Sequence, residues 1–321
     1  MPRLRELSVP YLEADGIRDR SFSPGDVITM KKLIAPVGAD IVHTHGCLSG
    51  RIAAKALGAK TVLTRHSAFP FPAWVRKTPA RLLYRFIYGH YADKIIAVSP
   101  AGAQIMYDIG IPAAKVSVMM NGAEALRPLT QAERREARHS WGVEDGTFLL
   151  GAVARLEEYK GHRCMLEALR LLLDRGRDVK LLIAGTGSYE DTLRSLASDL
   201  GDKVIFSGFA RDVAVPLGAM DLQLNASYES ETSSLSIIEG MSIGLPAVAS
   251  DICGNPDLIE DRVSGLLFTP QDPRDLAEKI SEIMDSPSLR DSLSRGARRR
   301  YEESFTGEIY ARSIEKVYQE M

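Results

Sequence analysis

Cysteine is scarce in this chain of 321 residues. Its three cysteines, Cys47, Cys164 and Cys253, are odd in number and lie far apart, so no disulfide framework can be derived from their spacing. Proteins that rely on disulfides belong to oxidising compartments. We therefore predict a reduced, cytoplasmic protein, with a position at the inner face of the membrane as the alternative.

Long apolar runs and an excess of either charge are also missing. The chain has 40 lysines and arginines against 42 aspartates and glutamates. This balance argues against nucleic acid as a partner, because binding to a phosphate backbone needs a basic excess. The longest apolar runs have the length of a strand, well below the roughly 18 residues of a membrane helix. The start, MPRLRELSVPYLEADG, lacks the apolar core of a signal peptide.

The second half of the chain alternates short apolar runs with segments of helical period. The strand candidates are 147–154, 180–185, 203–207, 221–225, 246–250 and 265–269. The helical segments are 162–175, 188–200, 234–243, 272–286 and 288–303. Several strands are apolar on both faces, as parallel strands covered on both sides are. The alternation predicts a doubly wound, Rossmann-like α/β domain over 147–304.

The first half repeats this pattern more loosely. Its strand candidates are 40–44, 60–65, 94–98 and 116–119, and its helical segments are 48–57, 78–91 and 100–109. The polar stretch 125–146 interrupts the alternation and predicts a linker after a first Rossmann-like domain, 1–124. Because only four strands are legible there, we expect that first domain to be incomplete. Two such halves would face a cleft, with ligands beyond the carboxyl ends of the strands.

Two cations mark the loop after the first strand of the second half. In GAVARLEEYKG, Arg155 follows the strand and Lys160 precedes a helix. Cations beside the amides of a helix start can hold a diphosphate. Solvated surface charges are the ordinary alternative. The position at the functional end of the sheet favours the diphosphate clamp.

The stretch ESETSSLSIIEG, at 229–240, places two glutamates around a predicted helix start near Thr232 to Ser234. Glu231 precedes the helix and Glu239 lies inside it. The free amides between them would bind an anion, while the carboxylates would accept hydrogen bonds from sugar or ribose hydroxyls. By itself this spacing is common, and a capping glutamate followed by an exposed one explains it better than a ligand site does.

Taken together, these segments resemble the donor half of family 4 glycosyltransferases, which are retaining enzymes of the GT-B fold. The resemblance runs over roughly positions 38 to 305. In the second half it rests on GAVARLEEYKGHRCMLEAL, LLIAGTGSYEDTLRSLASDLG, VIFSGF and ESETSSLSIIEGMSIGLPAVASDICGNPDLI followed by SGLLF. In the first half it rests on ADIVHTHG, ADKIIAVSP and VSVMMNGAE.

The resemblance implies a role for each matching residue. Arg155 and Lys160 would hold the diphosphate of a nucleotide-sugar, Glu231 would contact the transferred sugar and Glu239 the ribose. The amides for the phosphate would come from Ser233, Ser234, Leu235 and Ser236. The loops that border the base would contain Gly185, Gly187, Phe209 and Ala210. His66, in VLTRHS, matches the histidine that the family places near the reacting sugar on the acceptor side.

The chain departs from the family pattern in three ways. We find no Asp-x-Asp motif, so we predict neither an essential metal nor another cofactor. We find no opening strand with a double-glycine loop, and we expect position 1 to fall inside the first domain. Thr232 stands where the family usually has a glycine after the first motif glutamate.

Three other features each leave two interpretations open. His43, His45 and Cys47 in HTHGC share a strand face. This fits cleft-lining or core histidines better than a metal site, because no second cluster completes a set of four ligands. The aromatic and basic segment 69–88 is a packed helix with a solvated basic face or a peripheral membrane contact. A C-terminal helix over 305–321 would return to the first domain.

These features predict a retaining, metal-independent glycosyltransferase of the hexosyltransferase type. It would move a sugar from a nucleotide-sugar donor to a glycan or lipid-linked acceptor in polysaccharide or glycoconjugate biosynthesis. Two alternatives stay open: a nucleotide-sugar epimerase of GT-B fold, and a non-catalytic nucleotide-sugar binding protein if the glycine loop is absent.

Overall fold

The computed structural model describes residues 7–14, 22–77 and 79–321. Expectations about the first residues of the chain fall partly outside these ranges, as does residue 78 of the helix expected at 78–91. Within the described residues the strands form two sheets, and every pairing in both is parallel.

The first sheet has four strands in the order β1-β2-β3-β4: β1 (Ile41–His45), β2 (Lys60–Arg65), β3 (Lys94–Ala97) and β4 (Val116–Val118). The second has six, in the order β10-β9-β8-β5-β6-β7: β5 (Phe148–Val153), β6 (Val179–Ala184), β7 (Val204–Gly208), β8 (Leu222–Asn225), β9 (Ala247–Ser250) and β10 (Leu266–Phe268). The predicted strands are confirmed to within a residue at each end. Most of them are buried on both faces and therefore form continuous apolar runs, whereas β1, β4 and β7 are only partly buried.

Helices connect the strands and cover both sheets. Their bounds are Pro24–Ile34, Leu48–Ala56, Ala80–His90, Pro100–Asp108, Gln131–Ser140, His162–Asp174, Glu190–Leu196, Ala214–Ala219, Leu235–Ser242, Asn255–Leu258, Pro273–Asp285, Pro287–Ser304 and Gly307–Gln319. The single helix predicted at 188–200 is wrong. It ends at Leu196, and a 3-10 segment, Ser198–Lys203, follows with Gly201 outside helical geometry.

The helix Pro24–Ile34 was not predicted, because Pro24 and Gly25 resemble a turn. Proline is nevertheless favourable in the first turn of a helix, where its missing N–H has no partner to lose. The helix packs against Leu48–Ala56. It therefore lies outside Leu48–Ala56, the helix that itself contacts β1.

The helix His162–Asp174 shows how the second half builds its core. Leu166, Leu169 and Leu172 lie on one face at helical spacing, and none of them is exposed. This face packs against the sheet and the helix Pro273–Asp285. Each buried leucine contributes about 1.5–3 kcal/mol of hydrophobic stabilisation.

The C-terminal helix, Gly307–Gln319, lies on the first sheet. Its Val317 is buried against Val62 of β2 and Ile96 of β3. The chain crosses between the two halves where Ala123 runs beside Thr306. The backbone N–H of Ala123 donates to the carbonyl of Phe305 at 3.0 Å, which holds the two crossing segments together.

The polar stretch 125–146 contains the helix Gln131–Ser140. Thr130 and Glu133 form a capping box at its start. Arg134 and Arg138 each bond the carboxylate of Asp221, just before β8, at 2.7 and 3.1 Å. This helix is therefore fastened to the second sheet. None of the helices that the structure describes is both long and apolar enough to cross a membrane.

Candidate active site

A cavity of about 490 Å³ opens at the carboxyl ends of β5 and β8. These neighbouring strands are where the order of the second sheet reverses, the usual ligand position in an open α/β sheet. The first half contributes His66 and Asn121. The second half contributes Ala152, Val153, Ala154, Arg155, Lys160, Met165, Leu224, Asn225, Ser227, Glu231, Thr232, Ser233, Ser234, Leu235, Ser236 and Glu239.

Lys160 and Glu231 form an ion pair in the wall of this cavity. The ammonium Nζ of Lys160 lies 2.8 Å from Oε2 of Glu231, and the two side chains are 15% and 8% exposed. The same oxygen accepts hydrogen bonds from Ser227 Oγ at 2.8 Å and from Asn225 Nδ2 at 3.1 Å. A carboxylate with three donors on one oxygen is held in a single orientation.

Close backbone contacts position this pair. Gly161 follows Lys160 with φ +72°, and a Cβ there would lie 1.9 Å from the carbonyl oxygen of Ala226. The loop after β8 is tied to the loop after β5 by Tyr228, whose N–H donates to the carbonyl of Tyr159 at 3.0 Å. Only glycine permits the approach at 161, so the sequence of that loop determines the distance between Lys160 and Glu231.

The helix Leu235–Ser242 begins at the floor of the cavity. Its first internal hydrogen bond runs from Ile238 N to the carbonyl of Ser234, so the amides of the preceding turn have no partner inside the helix. These amides and the positive end of the helix favour an anion. The hydroxyls of Ser234 and Ser236 lie 3.2 Å apart beside them.

Glu239 lies on the next turn of the same helix and faces the cavity. Burial raises the pKa of its carboxyl above the usual value. No described residue donates a hydrogen bond to this carboxylate. A half-buried acceptor without a protein partner is suited to accept hydrogen bonds from the hydroxyls of a ligand.

Arg155 lies at the rim of the cavity and is exposed. Its Nη2 donates to the phenol oxygen of Tyr159 at 2.6 Å, and no described carboxylate pairs with it. Tyr159 also lies under the ammonium of Lys160, with 5.5 Å between Nζ and the ring centroid. One aromatic side chain thus supports both cations of the predicted clamp.

His66 faces the cavity from the first half and belongs to a row of stacked imidazoles. Its Nε2 lies 2.7 Å from Nδ1 of His45, so one ring nitrogen donates a hydrogen bond and the other accepts it. Burial, followed by the neighbouring His45, lowers the pKa of His66. Behind this pair, His43 bonds Tyr318 of the C-terminal helix at 2.7 Å and Thr64 at 2.6 Å. The lowered pKa of His66 favours its neutral form at neutral pH.

Hydrogen bonds join the two halves around the cavity. Asn121, after β4, donates its backbone N–H to Ser233 Oγ at 2.9 Å and its side-chain amide to the carbonyl of Ser233 at 3.0 Å. Thr232 donates its hydroxyl to the carbonyl of His66 at 3.1 Å. The threonine that departs from the family pattern thus connects the helix start with the histidine.

Several predicted site residues lie outside this cavity. Gly185 and Gly187 pack on the Arg155 loop, where added Cβ atoms would come within 1.9 Å of Ala154 O and 2.3 Å of Leu156 O. Phe209 is 72% exposed after β7, next to Ala210. The role of these four residues at the base stays a prediction.

Sequence reasoning missed three polar residues that line the cavity: Asn121, Asn225 and Ser227. Asn121 and Asn225 each stand where a strand ends or has just ended, which is the signal that could have identified them. Within residues 7–14, 22–77 and 79–321, no group of three or more His, Cys, Asp or Glu side chains is arranged to hold a metal ion.

Two parallel sheets, each flanked by helices, face one polar cavity, which is the arrangement of the GT-B fold. Residues 133–300 match the family model described as Glycosyl transferases group 1, and residues 2–125 match the one described as Glycosyltransferase Family 4. The chain belongs to family 4 of the glycosyltransferases. The resemblance drawn from its motifs is confirmed.

Curated relatives and solved structures agree with this assignment. The chain is 26% identical to a putative glycosyltransferase EpsD of Bacillus subtilis, over 98% of this chain and 88% of that protein. It is 25% identical to a UDP-Gal:alpha-D-GlcNAc-diphosphoundecaprenol alpha-1,3-galactosyltransferase of Escherichia coli, over 82% of this chain and 71% of that one. The structure of Anabaena HepE with UDP-glucose has a TM-score of 0.85 at 21% identity, covering 100% of this chain and 88% of HepE.

Proposed function

We propose that this chain is a retaining, metal-independent glycosyltransferase that moves a hexose from a nucleotide-sugar to a glycan or lipid-linked acceptor. One observation carries the proposal. A single cavity brings together two cations, the start of the helix Leu235–Ser242, the unpartnered carboxylate of Glu239 and the neutral imidazole of His66. Each of these groups suits a different part of such a donor.

The diphosphate would bind between the cations and the helix start. Negative charge develops on the departing diphosphate during transfer, and groups fixed before the reaction stabilise it without reorganisation. Arg155, Lys160 and the amides at Leu235 supply positive charge there. This arrangement supports a leaving group stabilised by the protein itself, which is why we propose that no metal is required.

The sugar would lie between Glu231 and His66. Three donors hold Glu231 at its Oε2, which supports a role in orienting the sugar and Lys160 over a role as attacking nucleophile. We therefore favour attack by the acceptor on the face that the diphosphate leaves, with retention of configuration. Proton NMR of the first product formed reads the anomeric configuration directly, and an inverted anomer would overturn this part of the proposal.

A surface on the first half supports a lipid-linked acceptor at the inner face of the membrane. The helix Ala80–His90 has no buried residue, and Leu82, Leu83 and Phe86 are 51%, 57% and 55% exposed. No aspartate or glutamate occurs between residues 66 and 92. Apolar side chains among arginines suit an anionic lipid surface. One relative named above is a galactosyltransferase whose name gives alpha-D-GlcNAc-diphosphoundecaprenol as the acceptor.

Vesicle sedimentation tests this surface. We expect binding to vesicles that contain phosphatidylglycerol and weak binding to pure phosphatidylcholine. Arg81→Glu with Arg85→Glu should abolish it, whereas Arg274→Glu, an exposed arginine of the second half, should leave it unchanged. Equal vesicle binding by both variants would exclude this surface as the membrane contact.

Thermal-shift titration with UDP-, GDP- and ADP-sugars tests the donor site, because a ligand that binds only the folded state raises its stability. We expect one nucleotide class to raise the thermal midpoint, and Arg155→Ala and Lys160→Ala to remove the rise. Arg274→Ala serves as the control. A folded protein that responds to none of the donors would contradict the proposal.

Product analysis separates the alternatives once a donor is known. A transferase consumes the donor faster when an acceptor is added, whereas an epimerase converts it to an isomer without one. A non-catalytic binding protein shows a raised thermal midpoint with the donor but releases no nucleoside diphosphate, with or without an acceptor. Assays with EDTA present test the independence from metal.

A further inference from the structure

A second cavity, of about 260 Å³, lies on the other side of His66. Its walls come from the first half and include His45, Arg51, Arg65 and Tyr88, and His66 lines both this cavity and the donor cavity. A group bound here would therefore approach the proposed sugar position from the acceptor side.

Arg51 is the unusual residue of this cavity. It is 2% exposed, and its guanidinium carbon lies 5.6 Å from the ring centroid of Tyr88. Its Nε and Nη1 are buried and have no hydrogen-bond partner among the described residues. Because a buried charge is costly unless it is paired, a guanidinium in this state calls for an anion that the protein does not supply.

Arg65 repeats the pattern from the end of β2. Its Nη2 donates to the carbonyl of Phe69 at 2.9 Å, and its guanidinium lies 5.0 Å from the ring centroid of Phe71. Its Nε is buried without a partner in the part of the chain that the structure describes. Desolvation lowers the pKa of both arginines, and the opposing contribution of Tyr88 is smaller.

We propose that Arg51 and Arg65 form a subsite for a phosphate group carried by the acceptor. Planar guanidinium forks match phosphate oxygens, and two of them on one cavity suit a dianion. That the phosphate belongs to the acceptor rests on the proposed function, because this step uses the position of His66 between the two cavities. That the two arginines bind phosphate does not depend on the proposed function.

The phosphate belongs either to a lipid headgroup or to a water-soluble sugar phosphate. Two probes distinguish these sources: glycerol 3-phosphate in solution, and phosphatidylcholine vesicles that contain phosphatidic acid. Dependence on Arg51 with either probe supports the subsite and identifies the source. Independence from Arg51 with both probes overturns it.

Thermal denaturation of the full chain provides the measurement. Glycerol 3-phosphate should raise the midpoint by a few degrees over glycerol at equal ionic strength. Arg51→Met and Arg65→Gln should each remove most of this rise, while Arg155→Ala and the exposed control Arg274→Gln should preserve it. A rise that is lost only in Arg155→Ala would place the phosphate in the donor cavity and overturn the proposal.

Arg51→Met also separates ligand binding from folding. The substitution removes an unpaired buried charge, so the unliganded variant should unfold at the same temperature as the parent or above it. A variant less stable than its parent would indicate a structural arginine and would contradict the subsite. The thermal shift that nucleotide-sugars cause in Arg51→Met should equal that of the parent. This measurement therefore distinguishes a failure of the donor site from a failure of the phosphate subsite.

Discussion

Lys160 Nζ lies 2.8 Å from Glu231 Oε2, in a wall where both side chains are largely removed from water. The two residues are 71 positions apart in sequence. Removing one partner of such a pair leaves the other charge buried, so Lys160→Ala should lower the free energy of unfolding by roughly 3 kcal/mol. The exposed pair of Arg163 with Glu167 is the matched control, and Arg163→Ala should lower the free energy of unfolding far less, because water screens an exposed pair. Urea unfolding measures both changes in free energy, and equal losses would show that the buried pair stabilises the fold no more than the exposed pair does.

Glu239→Gln should improve stability while it weakens donor binding. Burial raises the pKa of Glu239 above 4.5, so its favourable contribution is present below that pH and is lost as the pH rises through the folded-state pKa. At pH 7.5 the variant should therefore unfold at a higher urea concentration than its parent, and the difference should vanish near pH 4. Nucleotide-sugar affinity should fall about tenfold, as expected for a lost hydrogen bond to a charged group. Glu278→Gln, on an exposed helix face, should change neither property. If Glu239→Gln binds the nucleotide-sugar as tightly as the parent does, Glu239 does not contact the donor.

His162 should make the protein sensitive to acid. It is fully buried, neither ring nitrogen has a partner among the described residues, and burial lowers its pKa from 6.5 to about 4. The unfolded chain binds more protons between these values, so stability falls as the pH drops from 6.5 to 4, by about 3 kcal/mol for this group. His162→Leu should flatten that profile in part, since the pKa of His43 is also lowered to about 4. His139→Ala, at an exposed position, should leave the profile parallel to that of the parent.

Gly161 and Gly176 flank the helix His162–Asp174 and allow a matched comparison. Both have positive φ, +72° and +74°, but a Cβ at 161 would lie 1.9 Å from Ala226 O, whereas a Cβ at 176 meets nothing within 4 Å. Gly176→Ala should cost about 1–2 kcal/mol of left-handed strain. Gly161→Ala should cost more than about 4 kcal/mol and weaken donor binding, because the Lys160 loop must move away from the loop after β8. Similar unfolding midpoints for the two variants would contradict this contact.

The strands could be predicted closely because their physical cause is local. Parallel strands covered on both faces are continuous apolar runs, and β5, β6 and β8 show it most plainly. Short helices were harder to predict. Ala214–Ala219 contains a proline and a glycine, and Asn255–Leu258 is a single turn, so neither has enough sequence for a period to show.

Some residues of the candidate site could also be predicted from local sequence, and others could not. Arg155, Lys160 and Glu239 could be selected from the sequence because each stands at a recognisable place, after a strand or inside a helix that follows one. The position of Asn121 just after β4 is visible in the sequence, but the two hydrogen bonds it makes to Ser233 across the cleft are not. Arg51 looks like an ordinary helical arginine in sequence, and only its burial reveals an unpaired charge.

The sequence by itself determined the parallel α/β class, the family and the identity of most charged groups in the cavity, because these follow from local patterns and from motifs in a known order. Tertiary structure decided which groups meet. It placed β8 beside β5, which brings Glu231 to Lys160, and it packed the C-terminal helix behind His43. Such pairings depend on strand order and chain crossing, which a pattern along the sequence does not contain.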